Sequence, residues 1–303
     1  MHRPIIVQEI SLDDVITFDK IRYNTNNVWD NDTPPADYQH VSSLTKTSKW
    51  IDGIKEYRTI RIDLRSVVAQ WMKDAYKIGV HSGEFPQSFV DELDMFLSLN
   101  RYSEIFDGTE YFVRTENVSL KGGKHGVGPY TSMKCIIESL VTCHFGHTPI
   151  DNDTTDIVLY LIPWVSISPD SEYRVFVHNR TITAISQQSL YHVYKSAMLE
   201  HYEKHISIIC SYYESVLKDH LSHTSSYCID IAVLENDTPF FIEINPFGKQ
   251  YSSGSSLFGW VQDEGILLWT SNVSGETSAP PQPIYFRYTG PREILLIFLA
   301  NIP

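Results

Sequence analysis

Three oxygen-bearing side chains stand close together in two short apolar runs: Asp230 in CIDIAV, and Glu243 and Asn245 in FFIEINPF. Strand side chains alternate faces. Phe241, Glu243 and Asn245 would therefore share one face of the second run, leaving Phe240, Ile242 and Ile244 on the other. In the first run Asp230 falls with Cys228 and Ala232, opposite Ile229, Ile231 and Val233. A two-residue turn at Asn236-Asp237 sets Asp230 directly across from Glu243, with Asn245 one step along the same face. Facing Cβ atoms lie about 5 Å apart. Two carboxylates at that separation repel unless something positive lies between them. Carboxylate and amide oxygens suit Mg²⁺ or Mn²⁺, and Mg²⁺ commonly completes its shell with water and substrate phosphates. The competing reading is a strand pair with one solvated face, against which stand Phe241, Cys228 and Ala232 on that same face. A slip of one residue would send Glu243 to the opposite side.

EYRVFVHNRTITAISQ repeats the device. Glu172, Arg174 and Phe176 share a face, and a turn at Asn179-Arg180 pairs Glu172 with Gln187. An inward Arg174 can neutralise phosphate, with Glu172 and Gln187 orienting it or holding a sugar hydroxyl. An exposed cross-strand ion pair of little energetic weight is the alternative. The third constellation is FVRTENVSLKGGKHGVGPY, which puts Arg114 on a strand and Lys121 and Lys124 in a loop with four glycines. Small residues let backbone N–H groups approach an anion and the lysines add charge, although glycine-rich turns are often only turns.

The elements that would position these residues read as α+β, with mixed strands and helices but no regular βαβ alternation. TIRIDL (59–64) reads as a strand, followed by a helical pattern in SVVAQWMKDAYKI and an apolar helix face within 84–100 (Phe89, Leu93, Phe96, Leu97). TEYFVRTE (109–116) reads as a strand. SMKCIIESLVTCHFG reads as a helix capped by Thr131 or Ser132 and stopped at Gly146. DIVLYLIPWVSI (156–167) is a nearly continuous apolar run, the pattern of a buried strand. A long helical pattern covers 190–221, and PIYFRYT is a last strand after the loop 271–283. The apolar tail EILLIFLANIP falls short of the roughly 20 residues a membrane span needs, so a core strand or short helix is expected there. GxGxxG, P-loop, HExxH and GxSxG patterns are absent.

A formal net charge of −13 argues against nonspecific attraction to nucleic acid or an anionic membrane, both of which need a basic footprint. At 42% hydrophobic and 20% charged residues, composition argues against disorder over most of the 303 positions. Cys135, Cys143, Cys210 and Cys228 lack CxxC spacing, so buried free thiols are expected. No secretory h-region is evident at MHRPIIVQEISLDDV, so a cytoplasmic location is expected and the six Asn-x-Ser/Thr sequons (from Asn31 to Asn272) read as coincidental.

Together, YFVRTENVSLKGG, LYLIPWVSISPDSEYRVFVHNRTITAISQ, YCIDIAVLENDTPFFIEINPFG and SSLFGW, in that order from about Tyr111 to Trp260, resemble the cell division cycle protein 123 family, a divergent branch of the ATP-grasp fold. The resemblance implies two α+β lobes with mixed and antiparallel sheets enclosing a nucleotide cleft. Residues 1–108 would contribute to the N-terminal lobe, and 109–303 would form the core with a linker strand at about 159–165. It implies adenine contacts from the backbone of Tyr160, Leu161, Ile162 and Trp164, since Pro163 has no N–H. Phosphate contacts would come from Arg114, Lys121 and Arg174, and metal contacts from Asp230, Glu243 and Asn245. This chain departs from the pattern at Ile162-Pro163, at Gln188 and at Glu243, which stands where the family has Asp; the first two remove positive charge near the nucleotide.

Two outcomes are implied. One is an ATP- and Mg²⁺-binding assembly factor that binds the gamma subunit of translation initiation factor 2, as eukaryotic relatives do. The other is an ATP-dependent carboxylate–amine ligase working through an acylphosphate, with Arg174 and Lys121 as the catalytic, charge-stabilising residues. The NPFG and LFGW pieces favour the first and the glycine-rich loop the second. A third outcome is an intact fold that has lost nucleotide binding.

Overall fold

The computed structural model describes residues 3–29, 32–54, 58–100, 102–144, 148–150, 154–194, 202–251, 254–269 and 282–291. In chain order its main elements are β1 (Ile5–Ser11), α1 (Leu12–Thr17), α2 (Tyr38–Ser43), β2 (Ile60–Leu64), α3 (Ser66–Ser82), α4 (Val90–Leu99), β3 (Tyr111–Arg114) and α5 (Met133–Thr142). There follow β4 (Ile157–Pro163), β5 (Glu172–His178), β6 (Thr181–Gln187), α6 (Tyr202–Tyr212), β7 (Tyr227–Val233), β8 (Pro239–Pro246), α7 (Glu264–Leu267) and β9 (Ile284–Gly290). They group into two units, one of Lys46–Ser166 and one of Met1–Thr45 with Ile167–Pro303. Residues 1–108 are thus divided between the units, and the second unit is assembled from both ends of the chain.

The smaller unit is an antiparallel sheet in the order β2-β4-β3 under α3 and α5. Its core joins Met72 and Ala75 of α3 and Ile136, Ile137 and Leu140 of α5 to Val113, Leu159 and Leu161 of the sheet. The apolar run of β4 is explained by its place: it is the central strand, paired on both sides. Ser132 caps α5 by accepting the Cys135 N–H at 3.3 Å. The helix ends at Thr142, and the stop expected at Gly146 lies outside the described residues.

The larger unit holds a six-stranded sheet in the order β1-β9-β6-β5-β7-β8. Both expected hairpins are present, and β9 lies parallel to β1 and β6. Sequence patterning did not single out β1; it is a half-exposed edge strand whose partner lies at the far end of the chain. The apolar tail and the loop 271–281 lie outside the described residues. Of the helix expected over 190–221, residues 190–194 are turn and coil and 195–201 lie outside the described residues; the helix runs from Tyr202 onward, through a π-helical stretch at Tyr213–Leu217. Among the described residues no helix is long and apolar enough to cross a membrane. All four cysteines are free thiols; Cys143 and Cys228 are buried and the others half-buried.

Register in the two hairpins departs from the sequence expectation in opposite ways. In β5–β6 the turn is the expected Asn179-Arg180, both left-handed (φ 47° and 59°) as a type I′ turn requires. A bulge at Thr183 then shifts the ladder, so Tyr173, not Glu172, faces Gln187, and Arg174 faces Ser186. The Glu172–Gln187 pair is therefore not formed. In β7–β8 the expected two-residue turn is instead a three-residue loop, Glu235-Asn236-Asp237, closed by Leu234 N–H donating to Thr238 O at 2.9 Å, with Asp237 left-handed at φ 62°. That slip alone would have turned Glu243 away. The ladder shifts again between Asp230 and Ile231, where Ile242 is the extra residue, and the second shift cancels the first. Asp230 faces Glu243 and Cys228 faces Asn245, as expected, while Phe241 moves to the face of Ile229, Ile231 and Ile244.

Candidate functional site

Pairing across the sheet aligns one polar residue per strand on a single face. Gln8, Arg287, Ser186, Arg174, Asp230 and Glu243 follow one another from β1 to β8. Asp230 is 2% exposed and Arg174 7% exposed, which places a charged pair inside the fold. The guanidinium grips the carboxylate at both oxygens, Nε to Oδ1 at 2.8 Å and Nη2 to Oδ2 at 2.7 Å. Such two-point geometry is what offsets the desolvation of a buried ion pair. Burial alone would lower the Arg174 pKa, but the Asp230 charge outweighs it and keeps the guanidinium charged. For Asp230, burial pushes the carboxyl upward; Arg174 opposes the shift and Glu243 adds to it. The half-buried amide of Asn245 reaches both acids, with Nδ2 3.2 Å from Glu243 Oε1 and 3.5 Å from Asp230 Oδ2.

The segment after NPFG lies over this row. Gly254 O accepts from Arg174 Nη1, Leu257 N–H donates to Ser186 Oγ at 3.0 Å, and Leu257 O accepts from Arg287 Nη1 at 3.0 Å. Arg287 also pairs with Asp263 at 2.7 and 2.8 Å, and its guanidinium lies 4.2 Å from the centre of the Phe258 ring. Beside the polar row on the same face, Phe176, Ala184 and Cys228 form an apolar row covered by Phe258 and Trp260. The LFGW piece is therefore a cover pinned to the sheet by side chains that sequence reading left out: Ser186, Arg287 and Asp263. An arginine amid the apolar alternation of YFRYT was the available signal for Arg287. Gln188, where the resemblance would allow a basic residue, accepts from Ser256 Oγ at 2.6 Å and holds the same cover.

Other expected site residues fall differently. Gln187 is fully buried, donates to Ser189 O and His192 O at 2.9 and 2.6 Å, and accepts the Thr289 N–H at 2.9 Å. It lies opposite Tyr173 on the face away from Arg174 and ties β6 to β9. Glu172 keeps the Arg174 face and is half-buried. Arg174 donates to both Asp230 and Gly254, so it positions an acid and a cover.

In the smaller unit Arg114 is 1% exposed; its Nε donates to Thr47 Oγ1 at 2.9 Å and its guanidinium sits 5.0 Å from the Trp50 ring centre. Tyr160 O–H donates to Glu116 Oε1 at 2.6 Å, and Ser48 donates twice to the other carboxylate oxygen at 2.8 and 3.1 Å. Burial pushes Glu116 up, but these bonds outweigh it and its carboxyl lies below the usual range. Tyr160 and Leu161 are paired to both neighbouring strands. Beyond Leu161, opposite which β2 begins, Ile162 and Pro163 pair only with β3 among the described residues, and Trp164 N–H donates to Glu110 O at 2.9 Å.

Two of the loop's four glycines, and Lys124 and His125 between them, turn their N–H groups inward to the protein. Gly123 N–H donates to Leu120 O and Gly126 N–H to Gly123 O, both at 2.9 Å. Lys124 N–H donates to Thr142 Oγ1 at 2.8 Å and His125 N–H to Ser139 Oγ at 3.1 Å. A Cβ on Gly123 would stand 2.3 Å from Ser139 O, so glycine is needed for the loop to dock on α5. Lys124 pairs with Glu84 at 2.5 Å, whereas Lys121 is exposed and has no anionic partner among the described residues.

The profile of the D123 family matches residues 133–290, just over half of the 303-residue chain. The chain belongs to the D123 family. This D123 chain is 34% identical over 112 residues to a Candida albicans protein, the translation initiation factor eIF2 assembly protein. That stretch is 36% of this chain and 31% of the relative, so the match spans about a third of each. Among solved structures, Cdc123 from Schizosaccharomyces pombe superposes with a TM-score of 0.55 at 14% identity, over 82% of this chain and 97% of that one. A C-terminally truncated form of the same protein gives 0.56 over the same shares at the same identity. At that identity the likeness is one of fold: the α+β arrangement of Cdc123, in the fold class expected from the sequence.

The chemistry of the donors bears on whether the D123 chain suits a divalent cation. Among the described residues no three His, Cys, Asp or Glu side chains gather as a metal cluster. The set present is two facing carboxylates within reach of one amide, all hard oxygen donors once the amide oxygen is turned inward, with Asp230 shared with Arg174. That set fits a cation that takes part of its shell from phosphate or water, and does not fit an all-protein cage.

Proposed function

We propose that this D123 chain is an ATP- and Mg²⁺-binding assembly factor that acts on the translation initiation factor 2 complex by binding its gamma subunit. The observation that carries the nucleotide part is the facing Asp230–Glu243 pair with Asn245 in reach of both, on the covered face of the sheet. Glu243 and Asn245 would hold Mg²⁺, with Asp230 sharing it, and the ion would supply positive charge to offset that of phosphate. The family resemblance gives Lys121 as a phosphate contact and the Ile162–Trp164 segment as a backbone edge for adenine. The assembly role comes from family membership and the curated relative. The observation that favoured a ligase was the glycine-rich loop, and docking on α5 accounts for Gly123 in that loop without a second substrate.

Titration calorimetry with ATP, with and without Mg²⁺, tests the site. Glu243→Gln with Asn245→Ala is expected to abolish Mg²⁺-dependent binding while leaving the melting profile in place, and unchanged affinity would remove the metal assignment. Lys121→Ala should weaken ATP more than adenosine; equal losses would contradict a phosphate role. Pull-down with purified gamma subunit tests the assembly role, and release of ADP coupled to a new covalent adduct would favour the ligase.

A further inference from the structure

A second feature of the larger unit lies outside the acidic pair. Residues 20–21, 25–28 and 260–262 line an open groove of about 400 Å³. Three of its lining residues are exposed and apolar: Ile21, Val28 and Val261 at 63%, 55% and 56%. Trp260 also lines it, and its buried indole N–H has no acceptor among the described residues. Among the described residues Lys20 is the one charged group lining it, and its exposed ammonium has no anionic partner among them, in a chain of net charge −13. Lys20 is held left-handed at φ 60°, its N–H donating to Tyr23 O at 2.8 Å. Glycine or asparagine would take that conformation at lower cost, and such strain persists where the surroundings enforce it.

We infer that this groove is the docking surface for the partner protein and receives an extended segment that presents an apolar side chain beside a carboxylate. The apolar side chain packs against Ile21, Val28 and Val261, and the carboxylate meets Lys20, a cation the rest of an acidic surface does not compete for. The groove is also joined to the acidic pair. Gly254 N–H donates to Asn26 Oδ1 at 3.2 Å in the groove wall, Gly254 O accepts from Arg174, and Arg174 holds Asp230. Thr25 adds a second tie, accepting the backbone N–H of Trp260 at 3.1 Å and sharing a 2.8 Å hydrogen bond with Ser255 Oγ. A cation settling at Asp230 thus acts on the atoms that shape the groove, and partner affinity rises when ATP and Mg²⁺ are bound.

This inference rests on the assembly-factor reading, and the experiment separates the two. Binding of purified initiation factor 2 gamma subunit is measured for the full chain and for Val261→Asp, Lys20→Glu and Lys20→Arg, with and without ATP and Mg²⁺. ATP titrations and melting curves of each variant report on the fold. Val261→Asp and Lys20→Glu are expected to weaken the subunit at least tenfold with ATP affinity within twofold of the parent, Lys20→Arg to retain binding, and ATP with Mg²⁺ to tighten the parent complex. Variants that bind the subunit like the parent overturn the groove and leave the assembly-factor reading standing. A parent chain that takes ATP but not the subunit removes both. Self-association that Val261→Asp abolishes would make the occupant a second copy and overturn the inference as well.

Discussion

Arg174 and Asp230 decide how the acidic corner can be probed. Removing one member of a buried pair strands the other, at about 3–5 kcal/mol. Arg174→Ala should cost about that much in denaturant unfolding, and Arg174→Lys less, because charge is kept while the two-point grip is lost. A loss under about 1 kcal/mol for the alanine variant would show that the pair is not buried in solution. Asp230→Asn is for the same reason a poor test of metal binding, and Glu243 and Asn245 are the better targets. Acidity adds a second expectation at this scale. Burial raises the Asp230 carboxyl, helped by Glu243, with Arg174 pulling the other way. From the ordinary carboxyl value of about 4 up to its raised value, the folded chain holds a proton that the unfolded chain has released. Stability of the metal-free protein therefore falls as pH rises through that window. A divalent cation replaces that proton, so the gain in melting temperature from Mg²⁺ should grow with pH across the same window. A gain independent of pH would contradict the coupling.

Bulges and turns govern the next scale. Each hairpin contains one residue that simple alternation cannot anticipate, Thr183 in β6 and Ile242 in β8, and each moves every side chain beyond it to the other face. That is why Gln187 leaves the site and Glu243 stays in it. The glycine loop shows the same dependence on neighbours. Gly123→Ala should destabilise the chain by about 1–3 kcal/mol, because the Ser139 backbone beneath it cannot move aside. Its effect on ATP affinity should be small in protein that remains folded. A large loss of phosphate affinity without loss of stability would return the loop to the phosphate site.

For the whole molecule, the parallel pairing of β1 with β9 closes one unit with residues from both ends of the chain. A fragment spanning residues 109–303 lacks β1, β2 and α3, leaving β9 with a bare edge and β4 without one neighbour. Unpaired edges template association, so this fragment should elute as aggregate and melt without a cooperative transition. Monodisperse elution with a cooperative melt would show that the N-terminal residues are dispensable.

Local chemistry was legible in the sequence: the strands and helices, the Ser132 cap, the Asn179-Arg180 turn, and a family pattern specific enough to give the fold class. These follow from nearest neighbours along the chain and from alternation. What the fold alone decided depends on residues far apart in sequence. It recruited β1 to the sheet edge, gave Arg174 to Asp230 and not to solvent, sent Gln187 and Phe241 to the opposite face, and laid the LFGW segment over a polar row running through six strands. Pairwise contacts of that kind are set by bulges, strand order and burial together, and none of these is written in any single stretch of residues.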